Sequence, residues 1–218
     1  MDVCGEKVLV SDSVKNLGVK FDSEMKMTAH ISSICRALYF LLRKISSIRK
    51  YISNATCKTL VVSLIFSRLD YCNSLFVNLP QTSIYKLQLL QNNAARLVLG
   101  KRKFDHATPL LASLHWLPIE KRSVYKAACL IYKCLDGKAP AYLMDHVVTC
   151  NQENYNLRSC NDKTKLIEQR SRTKFGDRSF AIFGPKIWNE LPRDLRESGS
   201  LNSFKKNLKT YLYCASFN

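Results

Sequence analysis

The feature that most constrains this chain is the stretch from Thr56 to Gly100, where two helical patterns meet at Asn78-Leu79-Pro80-Gln81-Thr82-Ser83. In the first, Val61, Ile65, Leu69, Cys72 and Phe76 recur at helical spacing. No charge stands between Lys58 and Arg68, so most of the circumference must be covered. The second pattern offers Thr82 or Ser83 as N-cap, places Leu87, Leu90, Ala94 and Leu97 on one face, and stops at Gly100, which suits a left-handed C-cap. A packed helix pair is therefore the expected centre.

Upstream, Ile31, Ile34, Leu38, Leu41, Ile45, Ile48 and Ile52 alternate spacings of three and four residues, the cleanest helical seam in the sequence. Arg36, Arg43 and Lys50, seven apart and joined by Lys44, fall on the side away from that seam. No acidic residue occurs between Glu24 and Asp70 to neutralise them. With Lys+Arg 34 against Asp+Glu 17, the net charge is +17, the electrostatic footprint of a polyanion binder, with nucleic acid as the first partner to consider. Further basic groups are Lys101-Arg102-Lys103; Arg122, Lys126 and Lys133; and Arg170, Arg172, Lys174 and Arg178 around Phe175-Gly176-Asp177. A phosphate backbone is the chemistry that such stripes serve.

The remaining segments complete a mainly α chain. Lys7 to Asp22 alternates like a β-hairpin, with Val8 and Val10 on one face, Ser11-Asp12-Ser13 as the turn, and Leu17, Val19 and Phe21 on another face. Proline at Pro118 suits a helix start. Val124, Ala127, Ala128, Ile131 and Leu135 then form an apolar face, with Arg122, Lys126 and Lys133 opposite and Gly137 and Pro140 as stops. From Thr149 to Lys165 periodicity is lost. Phe180, Ile182, Phe183, Ile187, Trp188 and Leu191 form an aromatic-rich cluster, and Leu201, Phe204, Leu208, Tyr211 and Leu212 mark a short basic amphipathic helix. The expected organisation is a hairpin at 1–25, a helical bundle at 26–148, a linker or mobile loop at 149–168, and a small basic, helical or irregular tail at 169–218.

Chemistry is sparse. No two acidic residues are adjacent, and the nearest pairs, Asp22 with Glu24 and Asp194 with Glu197, fit surface roles better than metal binding. Phosphate-loop, dinucleotide, nucleophile-elbow and zinc-protease motifs are absent. His115, beside Trp116, suits an interhelix contact more than a catalytic base. The nine cysteines contain no C-x-x-C pair, so most are expected to be buried thiols. Cys134, His146, Cys150 and Cys160 match no familiar zinc spacing. The reading is of no metal, no cofactor, no membrane span and an intracellular site of action, nucleus or cytoplasm.

Five blocks in order resemble one family: Asn16-Leu17-Gly18-Val19-Lys20-Phe21-Asp22; Ser67-Arg68-Leu69-Asp70-Tyr71-Cys72-Asn73-Ser74-Leu75; Leu87 through Arg96; Leu114-His115-Trp116-Leu117-Pro118 with Arg122; and Gly184-Pro185-Lys186-Ile187-Trp188-Asn189-Glu190-Leu191-Pro192. They are similar to the C-terminal part of reverse transcriptases from LINE-type, Jockey-like non-LTR retrotransposons. The resemblance implies that Leu17-Gly18-Val19 corresponds to a primer-grip element and the helices from Ile31 onward to the polymerase thumb and the region beyond it. In that family the catalytic aspartates lie upstream of the Leu-Gly-Val element, and this sequence has no counterpart of them. It also lacks the cysteine–histidine knuckle of some relatives. The implied protein is a non-catalytic portion of an RNA-directed DNA polymerase, binding RNA, DNA or an RNA–DNA hybrid alongside the polymerase palm. Two other readings remain: a structural module whose Ile31–Ile52 seam pairs with a protein partner, and a decayed or truncated remnant without selected function.

Overall fold

In the computed structural model, residues 2–3, 6–7, 11–150, 164–173 and 175–217 are described. The elements in order are β1 (Asp2–Val3), β2 (Glu6–Lys7), β3 (Ser13–Asn16), β4 (Val19–Asp22), α1 (Thr28–Ile48), α2 (Asn54–Val61), α3 (Ser67–Leu69), α4 (Gln81–Leu99), α5 (Ala107–Leu114), α6 (Ile119–Leu135), α7 (Ala141–Met144), α8 (Phe180–Asn189), α9 (Arg193–Arg196) and α10 (Leu201–Phe217). The fold is mainly α, as the periodicities predict.

The strands form antiparallel pairs, β1 with β2 and β3 with β4, the latter in the register Val14↔Phe21 and Asn16↔Val19. The hairpin turn is not Ser11-Asp12-Ser13 but Leu17-Gly18, with φ of 45° and 85°. Two successive positive φ values give the turn whose twist matches the flanking strands. Leu17, expected to share a face with Val19, stands 83% exposed at the tip, whereas Val19 is buried. The expected positions Val8 and Val10 lie outside the described residues. Tyr71 donates its hydroxyl to the Leu17 carbonyl at 2.8 Å and fastens the tip to the helices.

The first core joins β4, α1, the α2–α3 segment, α4 and α5. On α1 the buried stripe is Ile31, Cys35, Leu38, Leu42 and Ile45. This stripe is covered from within the chain, chiefly by α4; of the expected seam, Ile34, Leu41 and Ile52 are only partly buried and Ile48 is exposed. The Asp22 carboxylate accepts the Lys26 and Thr28 amide N–H groups at 2.6 and 3.1 Å and satisfies donors at the start of α1. The helix after Thr56 is not continuous to Phe76. Val62–Phe66 is a π-helical segment, which lets the neighbours Ile65 and Phe66 both point inward; α3 ends at Leu69, and Cys72 takes φ 53° before a 3-10 turn at Asn73–Phe76. The start of α4 is likewise earlier than expected. Pro80, not Thr82 or Ser83, is its N-cap, and the Ser83 N–H bonds the Pro80 carbonyl. Gly100 closes α4 in the left-handed conformation, as its position predicts.

The second core gathers α6, α8 and α10 with Leu166 and Val147. Burying Phe204, Leu208 and Leu212 of α10 contributes about 1.5–3 kcal/mol each. Tyr132 stacks on Phe204 with centroids 4.7 Å apart and donates its hydroxyl to the Ser198 carbonyl at 2.7 Å. The C-terminal segment is thus half of a core rather than a separate tail. Because α6 is enclosed by α4, α8, α10 and the turn at Asn73–Phe76, it lacks a simple basic outer face. Arg122 and Lys133 are half-buried, and Leu135 is exposed at the helix end. The edges of the expected 149–168 linker are also structured. Cys150 N–H bonds the Lys165 carbonyl, Ile167 N–H bonds the Val148 carbonyl, and Leu166 is buried. Its middle, 151–163, lies outside the described residues.

Polar side chains lock the two cores together. Buried Gln91 donates Nε2 to the Leu117 carbonyl at 2.8 Å, and the Gln88 Oε1 accepts the Ile119 N–H at 2.9 Å, satisfying an amide at the start of α6. Gln88 is itself held by Gln91 and Asn92. The chain crosses between cores at that point.

Candidate nucleic-acid interface

A helix with an apolar stripe on one side must expose the residues opposite, and on α1 those are Arg36, Phe40, Arg43, Lys44 and Ser47. All of them are exposed, as is Lys50 in the 3-10 turn Arg49–Tyr51 that follows. The cationic stripe read from the sequence therefore lies on open surface. Among the described residues, ion pairs join Lys26 to Glu24, Arg122 to Asp70, Lys138 to Asp136 and Arg193 to Glu197. None involves the α1 stripe.

Two arginines bring further cations to the ends of this helix. Arg49 donates Nε to the Leu97 carbonyl at 2.9 Å and Nη2 to the Val98 carbonyl at 3.0 Å, with Nη1 on the Ile52 carbonyl and an additional bond to Asn54. This clamp satisfies carbonyls left over at the end of α4 and ties the Arg49–Tyr51 turn to it. A Cβ at Gly100 would stand 3.9 Å from Nη2 of Arg49. In that loop Lys101, Arg102 and Lys103 are exposed. Asp105 shapes it by accepting the Arg102 N–H at 2.7 Å through its carboxylate and Arg96 Nε at 2.9 Å through its carbonyl. At the other end, the Arg178 guanidinium bonds the Met25 and Glu24 carbonyls and ties the 3-10 turn Gly176–Arg178 to the start of α1. Arg170 and Arg172 are exposed, and Lys174 lies outside the described residues.

Two expected contacts belong elsewhere. Arg122 is not a surface cation. Its guanidinium forks onto the Asp70 carboxylate, Nε to Oδ1 at 2.9 Å with a second bond from Nη2 to Oδ2, and its carbon lies 4.6 Å from the Phe66 ring centroid. The paired geometry fits a guanidinium to a carboxylate, so Arg122 ties α6 to the end of α3. Lys126 is exposed but sits on α6, lining a cleft of about 400 Å³ with Lys133, Lys205, Tyr125 and Cys129. Burial pushes the Tyr125 hydroxyl up to about 12, with Cys129 adding to the effect. This basic cluster is separate from the α1 stripe.

The primer-grip-like residues divide in role. Leu17 is the exposed turn tip, Gly18 provides the φ of 85° and Val19 is buried in the first core. Among the described residues no group of three or more His, Cys, Asp or Glu could hold a metal ion, and Cys160 lies outside them. His115 caps α5 with φ 56° and packs its ring 5.4 Å from that of Tyr213 on α10, an interhelix contact.

Three exposed aromatic residues beside these lysines escaped the reading of charge alone. Phe40, Tyr51 and Phe104 are 59%, 76% and 88% exposed. The ammonium groups of Lys44, Lys50 and Lys103 lie 5.5, 4.8 and 5.8 Å from their ring centroids. The signal was in the sequence, because each ring is adjacent to its lysine or four residues before it.

No protein-family model, curated protein or solved structure matches this chain. No helix among the described residues is long and apolar enough to cross a membrane.

Proposed function

We propose that the chain is a non-catalytic C-terminal portion of a LINE-type retrotransposon reverse transcriptase that holds primer–template nucleic acid against its basic surface. The observation that carries this reading is the unneutralised exposed stripe Arg36, Arg43, Lys44 and Lys50, with the exposed Lys101, Arg102 and Lys103 following the end of α4 to which Arg49 is clamped. Neutralising phosphates with such a stripe releases counterions. It fixes position on a backbone without reading bases.

The ordered sequence blocks add support of a different kind, since residues from separate blocks meet. Asp70 bonds Arg122, Gln91 bonds the Leu117 carbonyl, and Tyr71 bonds the Leu17 carbonyl. In this reading the blocks are the joints of a scaffold that acts in the nucleus or cytoplasm. No polymerisation is assigned to the chain alone, because the metal-binding carboxylates that phosphoryl transfer uses have no counterpart in it.

Burial of Ile31, Leu38 and Ile45 within the chain leaves Ile48 as the exposed apolar residue of the Ile31–Ile52 seam, which favours nucleic acid over a protein partner along that seam. The test is titration of labelled RNA–DNA hybrid with the chain, followed by competition with an unrelated sequence. Tight binding at low salt that an unrelated sequence competes away supports the proposal; no binding at low salt ends it.

A further inference from the structure

We infer that the surface centred on Phe40, Tyr51 and Phe104 takes an unpaired polynucleotide strand, with its bases stacked on these rings and its phosphates beside the paired lysines. This rests on the proposal above that the same surface binds nucleic acid, and it names the form of nucleic acid preferred.

Burying apolar rings is favourable, so leaving Phe40 and Phe104 59% and 88% exposed forfeits stabilisation that folding would otherwise collect. Neither has a polar group that would favour contact with water. At that exposure the Phe104 ring can be covered on one side at most, and its lysine ammonium lies 5.8 Å from the centroid. A flat, open, electron-rich face beside a cation is the combination that receives a base and its phosphate together. Among the described residues, every lysine held over an aromatic ring belongs to this surface; the other cation held over a ring, Arg122 on Phe66, is internal.

The three rings lie on elements linked in series, α1, its final turn and the loop after α4. From Phe40 to Tyr51 the helix and its final turn advance about 18 Å. The Arg49 clamp on the Leu97 and Val98 carbonyls ties the turn that carries Tyr51 to the end of α4, from which the loop with Phe104 leads off. A duplex keeps its bases stacked on one another and offers a face only at its ends. An unpaired strand offers one at every residue, and every base has such a face, so the preference is for strandedness rather than sequence.

The test is fluorescence anisotropy with labelled oligothymidine and oligouridine, and with a blunt duplex of the same length. It compares the intact chain, the variant Phe40→Ala/Tyr51→Ala/Phe104→Ala, and Lys44→Gln/Lys50→Gln/Lys103→Gln. The aromatic variant should lose about tenfold or more in affinity for the unpaired strands, hold the duplex within about twofold, and keep its salt slope. The lysine variant should weaken both forms and flatten the slope. The single change Phe104→Ala, outside any helix, should lower unpaired-strand affinity several-fold while leaving the thermal midpoint unchanged. If the aromatic variant loses no more on unpaired strands than on duplex, the stacking surface is refuted while backbone binding stands. If no form binds at low salt, both readings fall.

Discussion

Arg122 shows at the scale of one residue how charge misleads. In the sequence it is one more cation on a basic helix; in the structure it closes a pair with Asp70 whose side chains are 19% and 24% exposed. Replacing it with alanine should cost about 2 kcal/mol, because the Asp70 carboxylate loses a charge-assisted partner in a partly dry site and keeps only the Asn73 amide. Chemical denaturation gives that number. Nucleic-acid affinity of the folded variant should be unchanged, and the double change Asp70→Asn/Arg122→Ala should lose less than the two single losses combined. A sequence cannot disclose this pair because its members are 52 positions apart.

His30 carries a pH dependence. It is buried, its Nδ1 accepts the Lys20 N–H at 3.3 Å, and burial followed by the Lys20 charge holds its pKa below the ordinary 6.5. Below that value the unfolded chain binds a proton that the folded chain refuses, so the contribution is fully present above about pH 6.5 and falls as pH drops toward the lower folded value. The midpoint of urea unfolding should decline over that interval, and His30→Asn should remove the part of the decline that this group causes. Thiols test burial independently. Cys35, Cys57, Cys129 and Cys134 are buried, with burial pushing each thiol up, whereas Cys214 is exposed; labelling should modify Cys214 well before those four.

Among the elements, those whose covering comes from a single side were legible. α1 and α10 each bury one stripe, so their periodicity predicts the helix and the general face, although Ile48 and Tyr211 of the expected seams are exposed and α1 ends before Ile52. The helix α6 was legible as a helix but not as a central one, because packing from several sides appears in the sequence only as small residues, Ala127, Ala128 and Ser123, among the larger apolar ones. The hairpin was legible as a hairpin, but its turn was misplaced. Leu17, Val19 and Phe21 keep strand alternation through a turn, and Gly18 was the residue that marked it. A leucine at φ 45° on an exposed tip is strained where asparagine would not be, so Leu17→Asn should stabilise the fold by about 0.5–1 kcal/mol. At the other kind of turn, Gly100→Ala at φ 62° should cost about 1–2 kcal/mol. Thermal melts of the two variants should therefore move in opposite directions.

For the whole molecule, the expected division into a bundle at 26–148 and a tail at 169–218 does not follow the cores. The boundary between cores falls near Leu117, where Gln88 and Gln91 stitch them together. Deleting 201–217 removes Phe204, Leu208 and Leu212, about 5–9 kcal/mol of burial, comparable with the stability of an entire domain. Hydrogen exchange should then show α6 amides losing protection; continued protection would mean that α6 does not depend on α10. Composition was a good guide to surface chemistry, since the α1 cations are exposed where periodicity put them. The charge of the chain bears most directly on its proposed role. The decisive measurement is the dependence of binding on salt, for the parent chain and for Arg36→Gln/Arg43→Gln/Lys44→Gln/Lys50→Gln on RNA–DNA hybrid. A slope of log affinity against log salt that flattens by about 3 or more in the variant is the predicted result, at roughly 0.9 per duplex phosphate contact. An unchanged slope, or no binding at low salt, would contradict the account.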